Sequence, residues 1–270
     1  MISLCIFSKD RACQLDLLLR SMKKFINPLS KFKVGIIFKA STPDFLAGYE
    51  LVKKKHPEFL FIKETIFKED VKQFFAVSFK YVMFLVDDDL FINEFSIESG
   101  EFKNFESSPE ILTLSPRMHP KITYCYPTKT KATPPQLNNN VWNWRTSQGN
   151  TDWSYPMSVD GNIFRANEIL PLVFGLNYNN PNSFEGALAS FAVTQPVKNL
   201  VKCFDKPILI NNPANIVQTL SYNHSGLTHH QPVKILNDEL ISGKEIQLEE
   251  TINQLKELNA PHIEFPYIIK

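Results

Sequence analysis

The first 90 residues alternate between short continuous apolar runs and segments whose apolar residues recur every three or four positions. Runs of the first kind are typical of buried strands, and the second spacing is typical of helices with one buried face. The pattern predicts strands at residues 2–7, 32–38, 60–63 and 81–86, and helices at residues 13–25, 43–56 and 68–79. Thr42, as N-cap, and Pro43, as first-turn residue, mark the start of the second helix. Strands that alternate with helices predict an α/β fold with a mostly parallel central sheet and helices on both faces.

The second half of the chain is less regular. Strands are predicted at residues 111–115, 158–165 and 207–211, and helices at residues 183–192 and 233–258. Asn182 or Ser183 is the predicted N-cap of the first of these helices. Residues 116–157 are rich in Pro, Asn, Thr and aromatic residues without a clear period, which is typical of a functional loop or a lid. We expect one domain over residues 1–220 and a helical extension over residues 221–270 that packs on it.

Composition restricts the possible classes of protein. The hydrophobic fraction is 43%, the charged fraction 21% and the net charge +1, which is ordinary for a globular protein and does not favour nucleic acid as a partner. Four widely spaced cysteines fit a reducing compartment better than a disulfide framework or a zinc site. The sequence shows no targeting signal and no apolar run long enough to span a bilayer, so a cytoplasmic protein without a transmembrane segment is predicted.

Three adjacent carboxylates, Asp87, Asp88 and Asp89, follow the apolar run at residues 81–86. Such carboxylates repel one another, so a cation would stabilise them. Hard oxygen ligands suit Mg²⁺ or Mn²⁺, which often share coordination with substrate phosphates. The alternative is a polar turn that only terminates a strand.

Polar residues also follow the first predicted strand. Because ligands bind beyond the carboxyl ends of strands in such sheets, the segment from Ser8 to Arg11 is expected to face the same crevice as the three carboxylates. An arginine in this position suits an anionic phosphate, although a surface salt bridge is the alternative.

These segments resemble a known family. "FLVDDDLF" resembles the DxD motif of GT-A glycosyltransferases, and "CIFSKDRACQLDLLLRSM" resembles their first strand and nucleotide-contacting loop. The similarity covers about residues 1–220 and is to viral and bacterial enzymes related to family 2, among them the N-terminal GT-A domain of a chlorovirus glycosyltransferase. It implies a GT-A fold and metal-dependent transfer of a sugar from a nucleoside-diphosphate sugar, with UDP favoured, to a glycan or other hydroxyl acceptor.

The resemblance also implies roles for individual residues. Asp89 and Asp87 would bind the metal ion, Mn²⁺ or Mg²⁺, and Asp87 would also contact the ribose or the sugar. The other implied donor-binding residues are Ser8, Lys9, Asp10, Arg11, Lys72, Asp88, Gly161, Asn215 and Gln218. A histidine after the core, His224, is the candidate for a further metal ligand, and an exposed loop histidine is the alternative.

The resemblance also implies two acidic residues as candidates for the catalytic base of an inverting enzyme. Glu185 would head the helix at residues 183–192, where the helix dipole would keep it ionised. Asp160 would meet sugar hydroxyls beside Gly161, which would allow close approach of the backbone. The alternatives are an ordinary first-turn glutamate and a strand with a bulge. Inversion is favoured, and retention of configuration stays open.

Two other functions stay open at this stage. A nucleotidyltransferase also uses carboxylates and Mg²⁺ at strand ends, but it would normally begin with a Gly-rich phosphate loop, and "FSKDRACQ" contains no glycine. A non-catalytic module that binds nucleotides or sugars would bind the donor without turnover. The tryptophans Trp142, Trp144 and Trp153 would either stack on an acceptor sugar or pack in the core.

Overall fold

The computed structural model describes residues 1–77, 79–217, 226, 228–255 and 258–270. Its strands are β1 Ile2–Lys9, β2 Phe32–Lys39, β3 Leu60–Lys63, β4 Tyr81–Val86, β5 Asp89–Phe91, β6 Ile111–Ser115, β7 Tyr124–Cys125, β8 Thr130–Lys131, β9 Val141–Asn143, β10 Ile163–Arg165, β11 Leu200–Cys203 and β12 Leu209–Asn211. Its α-helices are α1 Ala12–Phe25, α2 Pro43–Lys55, α3 Phe67–Phe75, α4 Gly100–Ser107, α5 Ala166–Gly175, α6 Pro181–Thr194, α7 Val233–Ile241 and α8 Leu248–Asn253.

The main sheet has the strand order β3-β2-β1-β4-β10-β6-β11-β9. The β3–β2, β2–β1, β1–β4 and β6–β11 pairs are parallel, whereas β10 and β9 run antiparallel to their neighbours. A short antiparallel pair, β5–β12, lies outside this sheet. The predicted α/β fold, with a mostly parallel central sheet flanked by helices, is confirmed.

The two faces of the sheet have separate hydrophobic cores. Along β1, Ile2, Leu4 and Ile6 belong to one core and Cys5 and Phe7 to the other, because successive side chains of a strand point to opposite faces. Helices α1 and α2 cover the first face, with α7 packed against these two helices, and α3 and α5 pack on the second. β1 is therefore buried on both faces, which explains why residues 2–7 are apolar except for Ser3.

The start of α2 agrees with the prediction, and that of α6 does not. Thr42 Oγ1 accepts a hydrogen bond from Phe45 N at 3.3 Å, as expected for an N-cap. Helix α6 begins at Pro181 and its N-cap is Asn180, whose Oδ1 accepts from Ser183 N at 2.9 Å. The prediction of Asn182 or Ser183 as the cap was wrong, because Asn180 and Ser183 form a capping box around the first-turn proline.

Several predicted elements are shorter in the structure. Of the strand predicted at residues 158–165, only Ile163–Arg165 forms, since Gly161 has a φ of +80° and interrupts the extended backbone. The helix predicted at residues 233–258 is two helices, α7 and α8. Gly243, with a φ of +90°, follows the end of α7, as is common after helix C-termini.

Residues 116–157, expected to be a loop or lid, contain three short strands and three buried tryptophans. Trp142 Nε1 donates to Trp153 O at 2.9 Å, and Trp144 Nε1 donates to Lys198 O at 2.9 Å. Because the indole rings are buried and their N–H groups are bonded within the protein, the tryptophans pack in the core.

The C-terminal residues pack against the segment that follows β12. Asn212 exchanges two hydrogen bonds with the backbone of Phe265, at 2.9 and 3.2 Å, and both residues are buried. This contact brings residue 262 to the edge of the sheet where β1 and β4 end. None of the helices described has the length and apolar character that a membrane crossing requires.

Candidate active site

The carboxyl ends of β1 and β4 are adjacent because these strands pair in parallel. Phe7 is in register with Val86, and Asp87 N donates to Phe7 O at 3.1 Å. The polar residues that follow the two strands are therefore neighbours, although nearly 80 positions separate them in sequence.

Arg11 is the cation of this group. Its Nη1 atom lies 3.0 Å from Asp87 Oδ1 and 2.7 Å from Asp88 Oδ2, and its Nε donates to Asn215 Oδ1 at 2.7 Å. Its Nη2 also donates to the carbonyl oxygen of Asn215. Burial alone would lower the pKa of Arg11, but the charges of Asp88 and Asp87 raise it above its usual value. The guanidinium thus offsets the repulsion within the aspartate run.

Asp87 is held by the residues that follow β1. Its Oδ2 accepts from Ser8 Oγ at 2.8 Å and from Lys9 N at 3.1 Å, and Ser8 Oγ in turn lies 2.6 Å from Tyr49 OH. Burial raises the pKa of Asp87 to about 6, with Arg11 opposing the shift and Asp88 adding to it. A small change in its surroundings would therefore change its charge near neutral pH.

The side-chain amide of Asn211 donates hydrogen bonds to both Asp88 and Asp89. Asn211 Nδ2 donates to Asp88 Oδ1 at 2.9 Å and to Asp89 Oδ1 at 3.2 Å, while Val86 N donates to Asp89 Oδ2 at 3.0 Å. Asp89 lies in β5 and pairs in register with Asn211 of β12. Burial and the charge of Asp160 raise the pKa of Asp89 well above its usual value. Among the residues described, Asp89 has no ion-pair partner.

A cleft of about 560 Å³ opens over this group. Basic, aromatic and aliphatic side chains line it together with carboxylates. The lining residues include Phe7, Ser8, Lys9, Arg11, Ile37, Lys39, Phe67, Asp87, Asp88, Asp160, Glu185 and His262. This mixture of apolar walls and a few convergent polar groups is typical of a small-molecule site.

Asp160 is bound by two basic side chains. His262 Nε2 lies 3.2 Å from Asp160 Oδ2, and Arg117 Nη1 lies 3.6 Å from the same oxygen. Burial alone would raise the pKa of Asp160, but the hydrogen bond from His262 and the charge of Arg117 hold it below its usual value. Asp160 is therefore the ionised carboxylate of this part of the cleft.

Glu185 is the fifth residue of α6 rather than its first-turn acid. Ser158 Oγ donates to its Oε1 at 2.7 Å, and Val159 N donates to the same oxygen at 3.1 Å. Burial raises the pKa of Glu185 to about 7, and the charge of Asp160 contributes to this shift. The expectation that the helix dipole keeps Glu185 ionised with a low pKa was wrong, because burial and a nearby carboxylate outweigh a dipole that acts mainly in the first turn.

Four of the predicted donor-binding residues that the structure describes lie outside the cleft lining: Lys72, Asp10, Gly161 and Asn215. Lys72 is on α3, where its Nζ is 2.9 Å from Glu69 Oε1. Asp10 has a φ of +58°, and its Oδ1 accepts from Ser41 N at 2.7 Å. Gly161 donates its N–H to Phe84 O at 2.7 Å, and a Cβ added to it would lie 2.2 Å from Leu209 Cδ2. The close approach at Gly161 is therefore to a leucine side chain.

Asn215 lies behind Arg11, whose Nε donates to its Oδ1 at 2.7 Å. Gln218 and His224 lie outside the described residues. Within the described part of the chain, no three His, Cys, Asp or Glu side chains are grouped so as to hold a metal ion.

Arg117, Asp152 and His262 lie at the site but were not predicted from the sequence. Arg117 follows β6, so the rule that ligands bind beyond strand ends would have found it. His262 reaches the site only through the tertiary packing of the C-terminal segment, where it forms an isolated bridge with Asn211. Asp152 lies in a short 3-10 helix within residues 116–157, and its position has no sequence signal.

Comparison with known proteins gives one relative by sequence and several by structure. No protein-family profile matches the chain. The chain is 31% identical over 211 residues to the bifunctional glycosyltransferase pgtA of Dictyostelium discoideum, which covers 68% of this chain. The same region is 27% of that protein, so the chain spans about a quarter of the length of the curated relative it matches.

Two solved structures illustrate the structural likeness. The alignment with a crystal structure of S. aureus TarS, residues 1–349, covers 79% of this chain and 60% of the TarS chain. Its TM-score is 0.47 and the sequence identity is 14%. The second structure is the mannosyltransferase PcManGT from Pyrobaculum calidifontis in complex with GDP-Man and Mn²⁺. The alignment covers 76% of this chain and 54% of the PcManGT chain, with a TM-score of 0.41 and 13% identity. Both likenesses are distant.

Proposed function

We propose that this chain is a metal-dependent glycosyltransferase of the GT-A type that transfers a sugar from a nucleoside-diphosphate sugar, with UDP favoured, to a hydroxyl group of a glycan or other acceptor. The observation that carries the proposal is the single cleft that joins Arg11, Asp87 and Asp88 at the strand ends to Glu185 on α6. The 31% identity to a curated glycosyltransferase supports the proposals that the chain is an enzyme and that it transfers a sugar.

The donor nucleotide is assigned to the part of the cleft above β1 and β2. Ile37 and Phe67 offer apolar contacts for a base, and Lys9 and Lys39 place positive charge nearby. Lys9 Nζ donates to Val217 O at 3.0 Å and Lys39 Nζ lies 2.8 Å from Glu64 Oε1, so both ammonium groups are already held at the cleft. Positive charge there favours a diphosphate.

The residues present fit a divalent cation beside Asp89. Arg11 is the counter-ion of Asp87 and Asp88, whereas Asp89 is buried without one among the described residues. Burial and the charge of Asp160 raise its pKa, and the charge of Arg117 does not offset them. Mg²⁺ and Mn²⁺ sites of this kind use one or two carboxylates and complete their coordination with substrate phosphates, so a preformed group of three ligands is not required.

Asp89 is the proposed protein ligand, as the sequence predicts, and it pairs in register with Asn211, whose amide donates to it. Asp87, which is paired with Arg11, stays a predicted ligand. A cation at this place would neutralise the negative charge of the departing diphosphate. His224 stays a prediction.

Glu185 is the proposed base of an inverting displacement. Its pKa of about 7 suits a group that must both accept and release a proton near neutral pH. The acceptor oxygen attacks the anomeric carbon and its proton passes to the Glu185 carboxylate. The bond from the anomeric carbon to the diphosphate oxygen breaks, and the nucleoside diphosphate leaves with the electron pair.

Asp160 is assigned to positioning the transferred sugar. Its pKa lies below the usual value, and His262 and Arg117 already bind its Oδ2. A carboxylate of low pKa is a weak base but a good acceptor for sugar hydroxyls. This division of roles makes Glu185, and not Asp160, the group whose loss should affect the chemical step.

Calorimetric titration with UDP, GDP and their sugar conjugates, with and without Mn²⁺, tests the proposal. We expect one nucleotide sugar to bind in a Mn²⁺-dependent manner and to be slowly hydrolysed. Lys9→Ala, at the cleft, should weaken binding, whereas Lys72→Ala, whose side chain pairs with Glu69 outside the cleft, should not. A protein that binds the donor without any hydrolysis or transfer would be a non-catalytic module, and one that binds no nucleotide would refute the proposal.

A further inference from the structure

A second cavity of about 270 Å³ lies beside the cleft. Pro127, Asp160, Glu185 and His262 line both spaces. The second cavity also has walls of its own, which come largely from residues 116–157, the part of the sequence without a family resemblance. Glu185, the proposed base, therefore stands between the cleft and a separate small space.

Two buried charged side chains of this cavity have atoms without a partner. Arg117 is 3% exposed and Asp152 is 9% exposed. The described contacts give neither Arg117 Nε nor Asp152 Oδ2 a hydrogen bond. Buried polar atoms are nearly always hydrogen-bonded, and exceptions indicate a missing water, ion or ligand. Arg117 Nε is thus an unsatisfied donor and Asp152 Oδ2 an unsatisfied acceptor in the same cavity.

The two unsatisfied atoms and the charged side chains of the cavity restrict the chemical class of its ligand. A hydroxyl group both donates and accepts, so a ligand with several hydroxyls can bond to Arg117 Nε and to Asp152 Oδ2 at once. The cavity contains Arg117 and His262 together with Asp152, Asp160 and Glu185, so charges of both signs are present and a strongly anionic ligand is not favoured. Tyr155 and Pro127 supply apolar surface for the face of a ring.

The volume restricts the ligand further. At about 270 Å³ the cavity is smaller than the sites of drug-sized molecules, which span about 300–1,000 Å³. One sugar ring is the appropriate size, and the remainder of a longer glycan would extend through the rim, where Asn150 is exposed.

We propose that this cavity binds the reacting sugar ring of the acceptor, with Asp152 and Arg117 bonded to its hydroxyls. The inference rests on the proposed function, since it places the acceptor opposite the donor with Glu185 between them. A hydroxyl of a ring in this cavity lies beside Glu185, to which it delivers its proton. The acceptor is thus a neutral glycan whose terminal ring is recognised by residues of the 116–157 segment.

Saturation-transfer NMR with a panel of methyl glycosides of hexoses, N-acetylhexosamines and deoxyhexoses tests this assignment. At least one glycoside should bind the wild-type protein, and Asp152→Asn should weaken it about tenfold or more, because the amide replaces an acceptor oxygen by a donor. Asn150→Trp, at the exposed rim, should block the same glycoside without affecting the fold. Asp205→Asn, an exposed aspartate outside both cavities, is the matched control.

Nucleotide titrations of the same variants distinguish the possible failures. Unchanged binding of nucleotide and nucleotide sugar by Asp152→Asn, together with lost glycoside binding, supports the acceptor site. If Asp152→Asn weakens the nucleotide sugar but not the free nucleotide, the cavity holds the donor sugar and the assignment is wrong. The assignment is equally wrong if every glycoside binds wild type and Asp152→Asn alike, or none binds. Failure of wild type to bind any nucleotide would instead refute the proposed function.

Discussion

The side chains of Arg11 and Asp87 form a buried ion pair, with 3.0 Å between Nη1 and Oδ1, although 76 positions separate them in sequence. Each follows one of two adjacent parallel strands, so the pairing of β1 with β4 fixes their distance. The cation that the aspartate run was expected to need is therefore supplied in part by the protein itself. Of the three aspartates, only Asp89 has no cationic partner among the described residues.

Arg11→Ala should destabilise the protein strongly. Removing one partner of a buried ion pair leaves an uncompensated charge and typically costs about 3–5 kcal/mol. The pKa of Asp87, already raised to about 6, should rise further without the guanidinium. A group with a raised folded pKa stabilises the fold below its unfolded pKa and loses that contribution as pH increases through the folded value. The loss of stability should therefore be larger at about pH 7.5 than at about pH 4.

Urea unfolding of Arg11→Ala at these two pH values measures this effect. Lys103→Ala is the control, because it removes an exposed pair with Glu98, and such pairs contribute little. An equal loss at both pH values would mean that Arg11 acts through packing rather than through the carboxylates.

Local sequence signals were sufficient to predict several of the elements around the carboxyl ends of the strands. The bounds of β3, β4 and β6 agree with the predictions, since each is a mostly apolar run flanked by polar residues or turns. Thr42 and Pro43 placed the start of α2 because capping depends on nearby residues only. Adjacent β1 and β4 then follow from the α/β topology.

The rest of the site depends on contacts that have no local signal. The pKa of Glu185 is set by its burial near Asp160, and helix position alone predicted the opposite direction. His262 belongs to a segment predicted to follow a helix, and it reaches Asp160 only because residues 258–270 pack against Asn211 and Asn212. Sequence spacing does not record such packing.

Asp89→Asn should remove the dependence of donor binding on Mn²⁺ while the apo protein still folds. The raised pKa means that the buried carboxyl group favours its neutral form, and an amide has the same size. Calorimetry with and without Mn²⁺ checks the first expectation and urea unfolding the second. Asp205→Asn, on the surface, is the control. Undiminished Mn²⁺-dependent binding by Asp89→Asn would remove this residue from the proposed metal site.

Gly161→Ala should be destabilising for two additive reasons. A side chain at a φ of +80° costs about 1–2 kcal/mol, and the new Cβ would lie 2.2 Å from Leu209 Cδ2, which adds about 1–3 kcal/mol of overpacking. Gly186→Ala is the control, since that helical position has open space and should gain about 0.5–1 kcal/mol. Urea unfolding compares the two. Normal stability of Gly161→Ala with weakened donor binding would instead restore the expectation that Gly161 faces the sugar.

Glu185→Gln should lower kcat by about 10²–10⁴ while donor affinity stays nearly unchanged, because the amide keeps the size of the side chain but cannot accept the proton. Asp160→Asn should mainly raise the KM for the donor. Wild-type kcat should increase with pH through about 7, where Glu185 ionises, and this increase should be absent in Glu185→Gln. Glu69→Gln, an exposed glutamate on α3, is the control.

The stability of the same variant gives an independent measurement of the same ionisation. Because the folded pKa of Glu185 is raised from 4.5 to about 7, the protonated side chain stabilises the fold below its ordinary pKa. This contribution is lost as pH increases through about 7. Glu185→Gln should therefore unfold with a flatter pH dependence than wild type between these values. A flat stability profile combined with a normal kcat would show that Glu185 is buried as inferred but is not the base. The proton would then pass to Asp160, or the reaction would retain configuration without such a base.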